Sequence, residues 1–163
     1  MMEKKIIRYP HPLLRKPTRL VAREELPASA VEATRLIVAD LLAGAREGVA
    51  AAANQVGHGV RMFALGVGHL GPLAPADLIF INPMIVDRSI ELSSDDEGCL
   101  SLPGLSVSVA RNDWIELEYQ TVEAESRVTR FEGFIARVIQ HEIDHLWGKL
   151  ILATCRTRDD ARR

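Results

Sequence analysis

Two histidines four residues apart set the first chemical question. The stretch Gln140-His141-Glu142-Ile143-Asp144-His145-Leu146 contains His-Glu-x-x-His. On a helix that spacing puts both imidazoles on one face, where they can hold one divalent metal ion. Glu142 lies one step round, near the open coordination position, and is a candidate to move protons for a metal-bound water. The plain alternative for the bare motif is a solvated helix face. A catalytic centre of this type takes about three protein ligands plus water. The 18 residues from Leu146 to Arg163 hold no His and no Glu, only Asp159 and Asp160 in an arginine-rich run, so the third ligand is expected upstream.

Upstream candidates are few. His11 lies in the rigid turn Tyr9-Pro10-His11-Pro12, and His58 and His69 each lie beside glycines in predicted loop tips. Cys99 lies in the compact segment Glu97-Gly98-Cys99-Leu100-Ser101, between two predicted strands. A free cysteine is ordinarily a small buried hydrophobe. A thiolate is also a strong ligand for borderline and soft divalent ions, and Gly98 would let the backbone pass close to the metal. Beside the helix motif, Cys99 is the best third ligand.

Taken together, Glu97–Ser101 and Gln140–Leu146 resemble the second and third signature motifs of the peptide deformylase family. Ile7-Arg8-Tyr9-Pro10, Leu14-Arg15 and Ile81-Asn82-Pro83 are similar to that family too, so the resemblance runs from about residue 5 to residue 152. It implies hydrolytic removal of the N-formyl group from the N-terminal methionine of newly made polypeptides, with formate released. It implies one divalent ion per chain on Cys99, His141 and His145: ferrous iron in the cell, with zinc, nickel or cobalt able to substitute. Glu142 would be the proton carrier, and the Gln55 amide with the Leu100 N–H would form an oxyanion hole. Glu97 is expected to accept from a ligand histidine or to pair with a basic residue such as Arg111.

The first signature motif departs from the pattern Gly-x-Gly-Leu-Ala-Ala-x-Gln. The chain reads Gly48-Val49-Ala50-Ala51-Ala52-Ala53-Asn54-Gln55. In the family this segment lies along the substrate as an extended edge, so Gly48, Val49 and Ala50 are expected to bind substrate. A methyl at Ala50 can block a positive φ or the close approach of a ligand. Ala51 removes apolar volume that could line or support the pocket. Two alternatives stay open on this ground: a related amidase acting on another formamide, and a non-catalytic metal- or peptide-binding relative.

Composition narrows the field. With 163 residues, 47% hydrophobic and 26% charged, the chain suits one globular domain, placed at 1–153, and a short basic tail at 154–163. A formal charge of −2 argues against a dominant nucleic-acid surface, and 5% aromatics argue against base-stacking platforms. No apolar run reaches the length of a membrane span, and the charged start has no signal-peptide core, so the cytoplasm is expected. In a reducing compartment Cys99 and Cys155 should stay unpaired. A ferrous centre on Cys99 should be sensitive to oxygen.

The elements that must position these residues read as follows. Prolines 10, 12 and 17 keep residues 9–18 extended or turning. Ser29-Ala30-Val31-Glu32 has capping-box form, and the apolar spacing after it predicts an amphipathic helix over 30–46, stopped by Gly48. Strands are predicted at 60–67, 78–81, 84–92, 105–110, 114–119 and 127–132. A loop is predicted at 66–75, a turn at Asn82-Pro83 and a polar loop at 93–96. The metal helix is predicted over 134–146, with Gly148 as its stop. Phe134, Ile135, Val138, Ile139, Ile143 and Leu146 make it the central buried helix. Phe134 and Val138 share a face with His141 and, with Val49, could wall a pocket for an unbranched side chain such as methionine; ordinary core packing is an equal reading. Arg137 is expected to bury its stem and expose its charge, with no assigned role. The predicted fold is α+β, with small antiparallel sheets packed around the metal helix.

Overall fold

A computed structural model describes residues 6–22, 28, 31–32, 50–66 and 79–153. Of the predicted helix over 30–46 only residues 31–32 are described, and they are helical; its remainder, the residues Gly48 and Val49, most of the loop over 66–75, and the tail at 154–163 with Cys155 lie outside the described residues.

The clearest element is β6, Trp114–Gln120. Its alternation buries Ile115, Leu117 and Tyr119 and turns Glu118 to solvent, the pattern of a strand with one face on a core. It pairs antiparallel with β7, Ser126–Glu132, on one side and β3, Ile79–Arg88, on the other. Strands β2, Met62–Leu65, and β1, Ala50–Ala52, complete a five-stranded sheet in the order β1-β2-β3-β6-β7. A separate hairpin pairs β4, Leu92–Cys99, with β5, Leu102–Asn112.

The helix Gly133–Leu146 packs on the large sheet through Ala136, Ile139, Ile143 and Leu146, which meet Phe63, Phe80, Ile115, Leu117 and Tyr119. Phe63 and Phe80 stack at 4.7 Å, and Tyr119 tilts against Phe80 at 4.7 Å. Burying each of these large side chains contributes roughly 1.5–3 kcal/mol. Ala51, Met62, Ala64, Ile79 and Ile81 face the other way, into a second cluster with Val21, Val31 and Val60. The fold is thus α+β, with small antiparallel sheets around the helix Gly133–Leu146. No helix among the described residues is long and apolar enough to cross a membrane.

Three local expectations are corrected. Residues 78–81 and 84–92 are not two strands separated by a turn; β3 runs unbroken from Ile79 to Arg88, and Leu92 already opens β4. Asn82-Pro83 forms a bulge, seen as the register shift between Ile81, opposite Gln120, and Met84, opposite Glu118. Asn82 adopts φ 50°; its backbone N–H donates to the Arg61 carbonyl (2.8 Å), and its side-chain amide accepts from the Val21 N–H (2.9 Å) and donates to the Val21 carbonyl (2.8 Å). The polar residues 93–96 are not a loop but the body of β4. Asp95 pairs with Val109 and Asp96 with Ser108, in a hairpin open to solvent where polar side chains cost nothing. Residues 60–67 contain a shorter strand, β2; Val60 instead makes an isolated bridge to Arg19.

Both helix ends are fixed. Gly133 (φ 58°) donates to the Asp113 carbonyl at 2.8 Å. At the other end Gly148 adopts φ 70°, and a Cβ there would lie 2.6–2.8 Å from backbone atoms of Arg15 and Lys16. That close approach lets Thr18 reach the Leu146 carbonyl twice, from its N–H (2.9 Å) and from Oγ1 (3.0 Å). Two of the orphan acceptors of a helix C-terminus gain partners this way, the second being the His145 carbonyl, which accepts from Asn54 Nδ2 at 2.6 Å.

Candidate metal centre and active site

The helix brings His141 and His145 to one side, with ring centroids 4.9 Å apart. The end of β4 brings Cys99 to the same place. The ligand atoms of Cys99, His141 and His145 all lie within 4.8 Å of one another, and Cys99 Sγ is 3.3 Å from His145 Nε2. Such spacing suits three ligands on one ion, with thiolate and imidazole as the donor set. His11 and His58 do not join this group: His11 Nδ1 instead accepts from the Leu13 N–H. His69 lies outside the described residues.

Surrounding charges favour a cation at this point. His141 Nδ1 lies 3.0 Å from Glu97 Oε2, which leaves Nε2 for a metal. Burial pushes the His141 imidazole down, but hydrogen bonds to Cys99 and Glu97 and the charges of Glu142 and Cys99 outweigh it and raise its pKa to about 10. The groups that hold a proton on His141 would equally attract a divalent ion. His145 behaves differently. Burial, then the positive charges of His141 and Arg111, pushes it down to about 3, so it is a neutral imidazole with a free lone pair.

Glu97 is itself pinned. Arg111 donates from Nε to Oε1 and from Nη2 to Oε2, both at 2.9 Å, and reaches Asp144 on the helix at 2.5 Å. Burial pushes the Glu97 carboxyl up, yet the hydrogen bonds from Arg111 and His141 and the Arg111 charge bring it down to about 2. Both expected partners of Glu97 are therefore present at once.

Glu142 is buried, and its Oε2 has no partner among the described residues. Burial raises its carboxyl to about 7, against the opposing His141 charge and a hydrogen bond from the Ala52 backbone. A carboxyl near 7 can both accept and return a proton at neutral pH. Gln55, 1% exposed, accepts from the Ala52 N–H at Oε1 (2.9 Å) and donates from Nε2 to Ser101 Oγ (3.1 Å), with Cys99 Sγ at 3.8 Å.

These groups border a cavity of about 250 Å³. Of the residues singled out from the sequence, Cys99, His141, Glu142, Gln55, Leu100, Ala50, Phe134 and Val138 all line it, while His145 is buried behind. Phe134, 57% exposed, stands at the cavity rather than in the core, whereas half-buried Val138 both lines the cavity and packs against the core under the helix. Ala51 does not line the cavity. It is fully buried on the opposite face of β1, so the apolar volume missing there belongs to the second cluster. A Cβ at Gly98 would touch only the Leu105 carbonyl, at an ordinary 3.8 Å, so the surrounding protein gives no steric reason for glycine there.

The expectation for Arg137 is overturned. Its guanidinium is buried, bonded to Glu97, Val109 and Ser93. Asn54 and Ser101, which steady His145 and Gln55, were not singled out either; no spacing rule marks them, because their partners arrive through the fold.

Comparison with known proteins adds the lineage. Residues 3–161 match the family model described as polypeptide deformylase. A peptide deformylase of Thermotoga neapolitana is 43% identical over 106 residues, which is 65% of this chain and 61% of that protein; the chain matches about three fifths of its length. The crystal structure of the Thermotoga maritima peptide deformylase superimposes with a TM-score of 0.78 at 34% identity, covering 91% of this chain and 95% of that one. A class I type b peptide deformylase from Acinetobacter baumannii, crystallised with Met-Ala-Ser bound, superimposes with a TM-score of 0.75 at 28% identity, covering 91% and 95%.

Proposed function

Because the chain belongs to the peptide deformylase family, we propose that it hydrolyses the formamide at the N-terminal formyl-methionine of newly made polypeptides, in the cytoplasm. One observation carries the reading. Two members of a three-ligand group, Cys99 and His141, and a buried carboxylate with an unpartnered oxygen border the same open cavity, with the third ligand, His145, buried behind them.

Cys99, His141 and His145 would hold one divalent ion, ferrous iron in the cell, with zinc, nickel or cobalt as replacements. Such an ion supplies Lewis-acid chemistry, lowering the pKa of water and polarising a carbonyl oxygen. Glu142 accepts the proton as water adds to the formyl carbon. It then delivers that proton to the amine nitrogen as the C–N bond breaks, giving formate and a free N-terminus. Gln55 Nε2 and the Leu100 N–H donate to the oxygen that gains charge. Gly48, Val49 and Ala50 take the peptide backbone, and Phe134 and Val138 take the methionine side chain.

The test is formate release from a formyl-Met tripeptide, by protein purified without oxygen and assayed for metal in the same tube. Release with one metal per chain is expected. Full metal without release would refute this substrate assignment. It would favour a second reading that Ala50 supports, since its methyl borders the cavity where the family carries glycine: hydrolysis of a smaller formamide.

A further inference from the structure

The metal centre draws its ligands from two elements that pair through no ladder: Cys99 ends β4, and both imidazoles ride the helix. A buried cluster of charges joins them, and Arg137 is its widest span. Lying on the helix one turn before His141, Arg137 donates from Nη1 to Glu97 Oε1 (2.9 Å) and to the Val109 carbonyl (2.8 Å). From Nη2 it donates to the Ser93 carbonyl (2.7 Å) and Ser93 Oγ (3.3 Å). One planar guanidinium therefore grips β4 at two places four residues apart, and β5 between them. Only an arginine fork can do this; a lysine ammonium is a single point of donation.

Arg111 does not duplicate that role. It holds both Glu97 oxygens from β5, but its remaining arm goes to Asp144, near the end of the helix. The upstream half of β4 is tied to the helix through Arg137. Downstream, the same Glu97 meets His141 Nδ1 at 3.0 Å.

We infer that Arg137 is a positioning residue of the metal centre: by fixing Glu97 and the backbone of β4 to the helix, it sets the His141 ring and the distance from Cys99 to the two imidazoles. The inference rests on the metal site proposed above. Groups that orient metal ligands typically matter about 10–100-fold in metal affinity or activity.

The test uses the full chain loaded with Co²⁺, whose visible absorption reports ligand set and geometry, in the unaltered protein and in the Arg137→Lys and Arg137→Met forms. Each is also followed for thermal midpoint and for the rate of Co²⁺ loss to a chelator. Arg137→Met is expected to shift the cobalt bands and speed metal loss by roughly tenfold or more. Arg137→Lys, which keeps the charge near Glu97 but not the span to Ser93 and Val109, should fall between. If Arg137→Met does not fold, Arg137→Lys against the unaltered chain decides alone. A lower midpoint with unchanged bands and unchanged metal loss would overturn the inference and leave Arg137 a packing residue. Failure of the unaltered chain to take up Co²⁺ would overturn both this inference and the proposed metal site.

Discussion

At Glu142 two demands meet in one carboxyl: it must be basic enough to take a proton from water and acidic enough to give it to an amine. Burial supplies the compromise by raising its pKa to about 7. Replacing Glu142 with Gln keeps the volume and removes the proton chemistry. Metal content should stay as in the parent while formate release falls about 10²–10⁴-fold; undiminished turnover would sink the assignment. Cys99→Ala should act differently, because it takes away the thiolate of the three-ligand group. Metal per chain, measured on freshly purified protein, should itself drop, and metal retained at the parent level would remove Cys99 from the centre. These residues were legible in the sequence because their signals are local: four residues between the histidines, and five contiguous residues around Cys99. Arg137 was not. Its partners Val109, Glu97 and Ser93 lie 28, 40 and 44 residues away, and nothing in its own neighbourhood distinguishes it from a surface arginine.

Among the elements, the helix was read almost to the residue, because its apolar repeat and the glycine beyond its end are both intrinsic. Gly148 does more than stop it. With φ 70° and backbone atoms of Arg15 and Lys16 waiting within 2.6–2.8 Å of a would-be Cβ, it is the place where the 6–22 segment touches down. Gly148→Ala is therefore expected to cost roughly 1–3 kcal/mol in a urea melt. A change within about 0.5 kcal/mol, the range of a neutral surface substitution, would show that the close approach relaxes freely. The strands were less legible, for opposite reasons at two sites. In β3 an Asn-Pro pair reads as a turn, but the bulge absorbs it and the Asn82 side chain binds both backbone groups of Val21. In β4 a run of serines and aspartates has no strand preference of its own; its conformation comes from the partner strand β5 and from Arg137.

Over the whole molecule, the β4–β5 hairpin and the helix are joined where charge is buried, so acid should part them. Glu97 has a pKa of about 2 in the fold against an ordinary 4.5, because Arg111 and His141 outweigh the cost of its burial. A depressed carboxyl stabilises fully above its unfolded pKa and loses that contribution as pH falls through the folded one. Stability should hold above about pH 4.5 and decline from there towards pH 2, followed by urea midpoints across that window. Glu97→Gln should lower stability at neutral pH and flatten the acid limb; an acid limb as steep as the parent's would place the responsible carboxylate elsewhere. The α+β fold expected for the domain agrees with the likeness to solved deformylases over 91% of the chain. The closure of that domain was beyond sequence reading, since it depends on bonds such as that between Thr18 and Leu146, 128 residues apart.

That last bond gives the molecule a history as well as a shape. A ribosome delivers Thr18 early and Leu146 late, and the segments bearing Gln55 and Cys99 in between, so the centre assembles only when the helix Gly133–Leu146 emerges and the 6–22 segment is still free to receive it. Until then the imidazoles of His141 and His145 have not been made, and Cys99 waits as an unprotected thiol. A chain proposed to trim other proteins at birth cannot trim anything during most of its own.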